Sequence, residues 1–301
     1  MEKIVQLGLI QMSCSDDVAA NLEKAKQGIR NAANQGAQIV CLQELFKSRY
    51  FCQVVDKTYL VLAESVNAAS STVQELGQLA AELEVVIIAA LFEKRAQGLY
   101  HNTAVVIDAD GRYLGKYRKM HIPEDPLYYE KFYFAPGDLG YKTFHTRYAD
   151  IGVLICWDQW FPEAARLTAM SGAQIIFVPT AIGFTPEELS ISDTEYQHAW
   201  QIVQQGHAVA NACYLAAVNR VGFEEDAEGK DGIEFWGHSF VSDPYGKVLA
   251  QAADDQDEVL ICPIDLAFID RVRDGYCFPF RDRRIESYGE LTKLHLADRG
   301  K

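Results

Sequence analysis

Three polar residues each follow directly on an apolar run, and between them they hold the parts that acyl transfer needs. Glu44 follows Ala37-Gln38-Ile39-Val40-Cys41-Leu42, Lys119 follows the run Tyr113 to Tyr117, and Cys156 ends Ile151-Gly152-Val153-Leu154-Ile155. Taken singly each is ordinary, because a Cys in an apolar run is usually a small core residue and a lone Glu or Lys after a strand is usually solvated. Together they supply a nucleophile, a base to activate it and a fixed cation for a developing oxyanion. In α/β sheets ligands bind beyond the carboxyl ends of the strands, which is where all three fall. The run Cys156-Trp157-Asp158-Gln159-Trp160-Phe161-Pro162-Glu163 reads as a strand passing straight into a helix with Pro at its first position. That reading places the thiol beside the free N–H groups of a helix N-terminus.

The elements that must position these residues follow from hydrophobic period. Residues 4–11 read as a strand, and Val18, Leu22, Ala25, Ile29 and Ala32 line one face of a helix capped by Asp16 or Asp17 and ended at Gly36. A strand at 38–42, a helix near 71–83, a strand at 85–91 and a hairpin turned at Asp108-Ala109-Asp110-Gly111 complete a first half. The order returns with a strand at 150–155, a helix opened by Pro162, a strand at 174–179, a helix near 195–211, a strand at 213–219 and a hairpin turned at Asp243-Pro244-Tyr245-Gly246. Both halves read β-α-β-α-β-β-β, which predicts an α/β fold of two similar halves with sheets face to face and helices outside, a four-layer αββα sandwich. An ordinary doubly wound sheet is the alternative. No Pro/Gly/Ser-rich linker divides the halves, so one domain spanning 1–301 is expected, and the charged segment 224–232 reads as a solvated loop.

Composition narrows the partners. The chain has 301 residues, a net charge of −14 and 49% hydrophobic residues, enough apolar content for a substantial core. An acidic chain is repelled by phosphate backbones and anionic lipid, so neither nucleic acid nor membrane is an expected partner. Its apolar runs fall far short of the ~18 residues of a spanning helix, and the N-terminal segment lacks the pattern of a secretory signal. The seven Cys, at 14, 41, 52, 156, 213, 262 and 277, are odd in number and scattered, which fits reduced thiols in a cytoplasmic protein. The P-loop, dinucleotide-binding, HExxH, GxSxG and paired CxxC patterns are absent from the sequence, so neither a metal nor a nucleotide cofactor is expected. His121 and His238 fall near the expected site loops, with core or solvated roles as plausible as chemical ones.

The sequence resembles the nitrilase superfamily of carbon–nitrogen hydrolases. The resemblance runs from about residue 4 to about 285, and rests on Glu44 in CLQELF, Lys119 in KYRKMHIP and Cys156 in ICWDQWFPEAAR, spaced 75 and 37 positions apart. It implies a Glu-Lys-Cys triad, a supporting glutamate at Glu130 in YYEKFYFAPGD, and an oxyanion held by Lys119 and the Trp157 backbone N–H. WDQWFPEAAR, the PTAIG that holds Thr180 and Ala181, and the tail FRDRR are similar to the branch that hydrolyses N-carbamoylputrescine, which implies a small cationic carbamoyl amine as substrate. Relatives acting on carbamoyl amino acids or other amides, a non-catalytic binding protein on the same fold, and an acyltransferase are the alternatives. Candidate contacts for the distal amine are Glu187 and Glu188 after PTAIG, Glu124 and Asp125 after Lys119, and Tyr50 and Phe51 after Glu44. The resemblance also implies a homo-oligomer, with the C-terminal tail, about 271–301, in subunit contacts; residues 271–284 carry five Arg.

Overall fold

In the computed structural model, which describes residues 3–189, 193–227, 229, 231–275 and 279–297, two six-stranded sheets repeat one order. In the first, β1 (Ile4–Gln11), β2 (Ile39–Leu42) and β3 (Val86–Ala96) run parallel, and β4 (Leu99–Ile107) and β5 (Tyr113–Arg118) continue it antiparallel. After β6 (Thr143–His145) the second sheet repeats the pattern with β7 (Asp150–Val153) and β8 (Ile175–Pro179), passes over the two-residue β9 (Gly183–Phe184), and adds β10 (Tyr214–Val218). The hairpin β11 (Val221–Glu225) and β12 (Gly232–Trp236) precedes β13 (Phe240–Ser242) and β14 (Val248–Gln251), which close the second sheet antiparallel. The last strand, β15 (Glu258–Asp265), returns to pair antiparallel with β1, just as β6 pairs with β7. The halves are therefore related strand for strand.

Alternation along the strands builds the layers. Leu7, Leu9, Ile39, Cys41, Val86 and Ile88 face the second sheet, while Ile10, Val40, Leu42, Ile87 and Ala89 pack under α1 (Val18–Asn34) and α2 (Ser71–Leu83). In the second sheet Gly152 faces outward, where a Cβ would meet Thr168 Cγ2 at 2.1 Å; this glycine lets the helix that follows Pro162 lie close on the strand. The phenol of Tyr214 crosses the interlayer and donates to the Asp265 carbonyl at 3.0 Å. After the four-residue turn α3 (Glu130–Tyr133), α4 (Pro162–Met170), the short α5 (Pro186–Leu189) and α6 (Asp193–Asn211) follow, and α7 (Ala267–Gly275) comes after β15. α4 and α6 cover the outer face of the second sheet, which gives the expected four-layer α/β sandwich. Among the described residues no helix is long and apolar enough to cross a membrane.

Two sequence expectations are corrected. Residues 224–232 are not a solvated loop throughout: Glu224 lies in β11 and Gly232 opens β12, and Glu224 is only 3% exposed because its carboxylate is paired with Arg220. These strands, with β9, form a third, three-stranded sheet that the β-α-β-α-β-β-β reading lacked. Cys156 also does not lead directly into the helix. A 3₁₀ turn, Cys156–Trp160, intervenes, and α4 starts only at Pro162.

Candidate active site

β5 runs parallel to β3 and hence to β2, so the two strands deliver Glu44 and Lys119 to the same end of the first sheet. Lys119 Nζ donates to Glu44 Oε1 at 2.8 Å and to Glu130 Oε1 and Oε2 at 2.9 and 2.7 Å. All three side chains are fully buried. Asn102, on β4, donates its Nδ2 to Glu44 Oε1 at 2.6 Å, and its carbonyl accepts the Lys119 N–H. Glu44 Oε2 is left buried with no hydrogen-bond partner among the described residues.

Cys156 is delivered from the second sheet. Its φ of +44° is a conformation that L-residues other than Gly, Asn and Asp seldom adopt, and it marks a sharp elbow between β7 and the 3₁₀ turn. Asp158 holds that elbow. It is fully buried and accepts from Ile155 N, Tyr117 Oη and His121 N, with His121 Nδ1 also at 2.7 Å. Gln159 ties the same turn to the second sheet's helix: its side-chain carbonyl accepts from Trp200 Nε1 and Thr180 Oγ1, and its backbone carbonyl meets His207 Nε2 at 2.7 Å. The Cys156 thiol points toward the Ala181 carbonyl, with Sγ 3.9 Å away.

Burial and charge set the protonation. Burial pushes the Cys156 thiol well above its ordinary value; the Glu44 carboxylate adds to this, and Lys119 opposes it. The balance favours the protonated thiol. Burial by itself would lower Lys119, but the Glu130 and Glu44 carboxylates outweigh it and hold the ammonium charged. Glu130 is pushed up to about 7, first by burial, against the pull of Lys119 and with Glu44 adding to the rise.

A cavity of about 260 Å³ opens beside the thiol, lined by Cys156, Trp157, Tyr128, Ile182, Asp125 and Glu187 among others. Its two charged lining residues among those described, Asp125 and Glu187, are both acidic. The other described sequence candidates do not line this cavity. Tyr50 is buried beneath the site and donates its phenol to Glu130 Oε1 at 2.6 Å, and Phe51 stacks with Phe92 and Tyr59. Glu124 is exposed and accepts the Lys131 N–H. Thr180 is buried on Gln159, and Ala181 offers its carbonyl to the thiol. His121 braces Asp158 and stacks on Phe161, while His238 meets Gln251 away from the thiol. The Glu188 side chain and Cys277 lie outside the described residues. Sequence reasoning missed Asn102, Asp158, Arg220 and Glu224; the one available signal was three consecutive polar residues, His101-Asn102-Thr103, inside an otherwise apolar strand.

The carbon-nitrogen hydrolase family matches residues 6–274. The chain is 44% identical over 294 residues to the N-carbamoylputrescine amidase of Solanum tuberosum, covering 97% of this chain and 96% of that one. It is 39% identical to the citrullinase of Francisella tularensis, covering 97% and 99% of the two chains. A carbon-nitrogen hydrolase from Helicobacter pylori G27 superposes with a TM-score of 0.93 at 43% identity, covering 97% of this chain and all of that one. With the family model spanning most of the chain and these relatives covered almost end to end, the chain belongs to the carbon–nitrogen hydrolases of the nitrilase superfamily.

Proposed function

We propose that the enzyme hydrolyses N-carbamoylputrescine to putrescine, ammonia and carbon dioxide through a thioester on Cys156. The observation that carries this reading is the single unpartnered oxygen of the buried Glu44, held with Lys119 in a cluster whose charges act on a neutral thiol at a cavity with acidic walls. Glu44 Oε2 takes the thiol proton as Sγ attacks the carbamoyl carbon, and Lys119 with the Trp157 backbone N–H receives the oxyanion. One such donor contributes about 3 kcal/mol to the transition state. Glu44 returns the proton to the departing ammonia. Water, deprotonated by the same carboxylate, then cleaves the carbamoyl thioester, and the released carbamate loses carbon dioxide to give the free amine. Glu130, anchored by Tyr50, accepts from Lys119 and supports it.

The acidic lining favours a cationic distal end over a carboxylate, which argues for N-carbamoylputrescine over N-carbamoyl-β-alanine. The similarity to the Solanum tuberosum amidase supports the same choice. Citrulline, whose far end carries both an ammonium and a carboxylate, is the informative competitor given the Francisella relative. Ammonia release across N-carbamoylputrescine, citrulline and N-carbamoyl-β-alanine tests the reading; a higher kcat/KM for either amino acid overturns the substrate. No metal or cofactor enters this chemistry.

The same reading includes a cytoplasmic homo-oligomer. The exposed Leu167, Met170, Ile202 and Val209 on α4 and α6, with Ile285, Leu291, Leu294 and Leu296 of the tail, support subunit contact. The six described cysteines are all unpaired, as in a reducing compartment. Light scattering of the full chain and of a chain lacking residues 277–301 measures the assembly; a monomeric full chain overturns it.

A further inference from the structure

Arg220 and Glu224 are a buried ion pair more than 170 residues from the segment they grip. Arg220 is fully buried, and its guanidinium divides itself between two tasks. Nη1 donates to Glu224 Oε1 at 2.6 Å and to the Ser48 carbonyl at 2.9 Å; Nη2 donates to the carbonyls of Glu44 and Leu45 at 3.1 and 3.0 Å. Glu224 uses its second oxygen, Oε2, to accept the Tyr50 N–H at 2.6 Å, and its carbonyl accepts from Gln53 Nε2. Every residue from Glu44 to Gln53 that these groups touch belongs to the segment leaving β2. Leu45 in that segment has φ of +49°, an unfavourable backbone conformation that needs an external hold.

The two ends of the gripped segment bear on the same ammonium. Glu44 accepts from Lys119 directly, and Tyr50 donates to Glu130, which accepts from Lys119 in turn. We infer that Arg220 and Glu224 are positioning residues for the proposed hydrolysis, fixing the segment that carries Glu44, which accepts from Lys119, and Tyr50, which reaches Lys119 through Glu130. The inference rests on the reading of Glu44 as the base. The physical case is one of costs. A buried ion pair adds little net stability over apolar packing, because desolvation offsets its attraction. A planar fork, however, can hold several carbonyls at fixed directions, which an ammonium or an apolar side chain cannot. Displacing a reacting group by about 1 Å can cost about 100-fold in rate. Glu224 lies in β11 of the small sheet and Arg220 immediately precedes it, and the β9 strand of that sheet begins just after Ile182 at the cavity wall, so the sheet that adjoins the cavity also carries half of the pair.

The test compares three variants with the wild type. Arg220→Lys keeps the charge but loses the fork. Glu224→Gln keeps the shape but presents one amide N–H₂ toward a donor, so one of the two bonds from Arg220 and Tyr50 is lost. The double variant Arg220→Met with Glu224→Leu leaves no lone charge in the interior and serves as the folded control if a single change unfolds the chain. Each folded variant is expected to show kcat lowered tenfold or more with KM within twofold, and a displaced acid limb in its pH–rate profile. Because the Glu44 carboxylate raises the thiol, its displacement is expected to raise the iodoacetamide capture rate of Cys156 at pH 7, read by mass spectrometry, a readout that needs no substrate. If the wild type fails to release ammonia from N-carbamoylputrescine, the substrate reading falls, and the capture ratio still reads the positioning. A folded double variant or Glu224→Gln with wild-type kcat and capture rate overturns the inference.

Discussion

Lys119 engages one oxygen of Glu44: its ammonium lies 2.8 Å from Oε1, the atom that Asn102 also contacts, and Oε2 stays buried without a partner among the described residues. The two oxygens of one carboxylate are thereby made different. Oε1 is saturated by two donors, and Oε2 keeps its lone pairs for a proton. Glu44→Gln retains the shape and removes the basicity, so kcat should fall by a factor of about 1,000 or more, in the range that loss of an essential general base produces. Glu44→Asp should fall by a comparable factor, because shortening by one methylene withdraws the carboxylate from Lys119 or from the thiol. Single-turnover ammonia release measures both, and a Glu44→Gln rate within tenfold of wild type would remove Glu44 from the mechanism.

Cys156 offers a second check, with a definite sign. Burial and the Glu44 carboxylate both raise the thiol, so at pH 7 the wild-type residue should be alkylated by iodoacetamide more slowly than a solvent-exposed cysteine. Removing the carboxylate charge in Glu44→Gln should move the thiol's titration to lower pH, although turnover is lost. Alkylation rate against pH, read at Cys156 by mass spectrometry, separates the two proteins. A wild-type midpoint below that of Glu44→Gln contradicts the electrostatic account. Cys156→Ser should fold and lack turnover.

These two tests concern residues that stood out in the sequence because they follow apolar runs. The fold was legible for the same reason: α2 occupies 71–83 as its period predicts, and the Asp108–Gly111 and Asp243–Gly246 turns close with their expected hydrogen bonds. The groups that hold the site were not legible. Arg220 and Glu224 sit beside a charged stretch that, without its distant partner segment at 44–53, reads as solvated surface. From sequence Tyr50 reads as a substrate contact, because a phenol after the strand of Glu44 suits either role, and only the chain path brings it to Glu130. The 3₁₀ turn after Cys156 escaped because an elbow set by Asp158 leaves no periodic signature in five residues.

Stability toward acid should depend on Glu93, whose partners Arg118 and Thr103 adjoin Lys119 and Asn102 in the chain. It is buried and accepts from Arg118, Lys116 and Thr103; burial alone would raise it, but these partners outweigh that and bring it down to about 2. A carboxyl lowered on folding stabilises the protein above its unfolded value, and that contribution is lost as pH falls toward about 2. A shift of this size corresponds to a contribution on the order of 3 kcal/mol. Glu93→Gln should therefore lower the unfolding free energy substantially at pH 7 and progressively less toward pH 2. Urea unfolding at pH 7, 4 and 3 measures it; a deficit that stays constant across that range excludes the ionised carboxylate as the cause.

The cavity's charge makes the last prediction. Asp125 and Glu187 are the charged residues among its described lining; Asp125 lies in the loop after Lys119 and Glu187 in the short α5 after the PTAIG segment. An ammonium four methylenes from the carbamoyl carbon gains from a carboxylate in a partly enclosed site more than it does in water, where a pair is worth at most about 1 kcal/mol. Neutralising the carboxylate that meets it should raise KM for N-carbamoylputrescine about tenfold, equal to roughly 1.4 kcal/mol of binding. The same change should leave an uncharged N-carbamoylalkylamine of equal length within twofold, because that ligand has no charge to lose. Glu187→Gln and Asp125→Asn, measured side by side on both compounds, identify which carboxylate acts. If both variants keep wild-type KM for both substrates, neither carboxylate recognises the amine, and the selection of a cationic substrate by the cavity's charge is excluded while the chemistry of Glu44, Lys119 and Cys156 stands on its own tests.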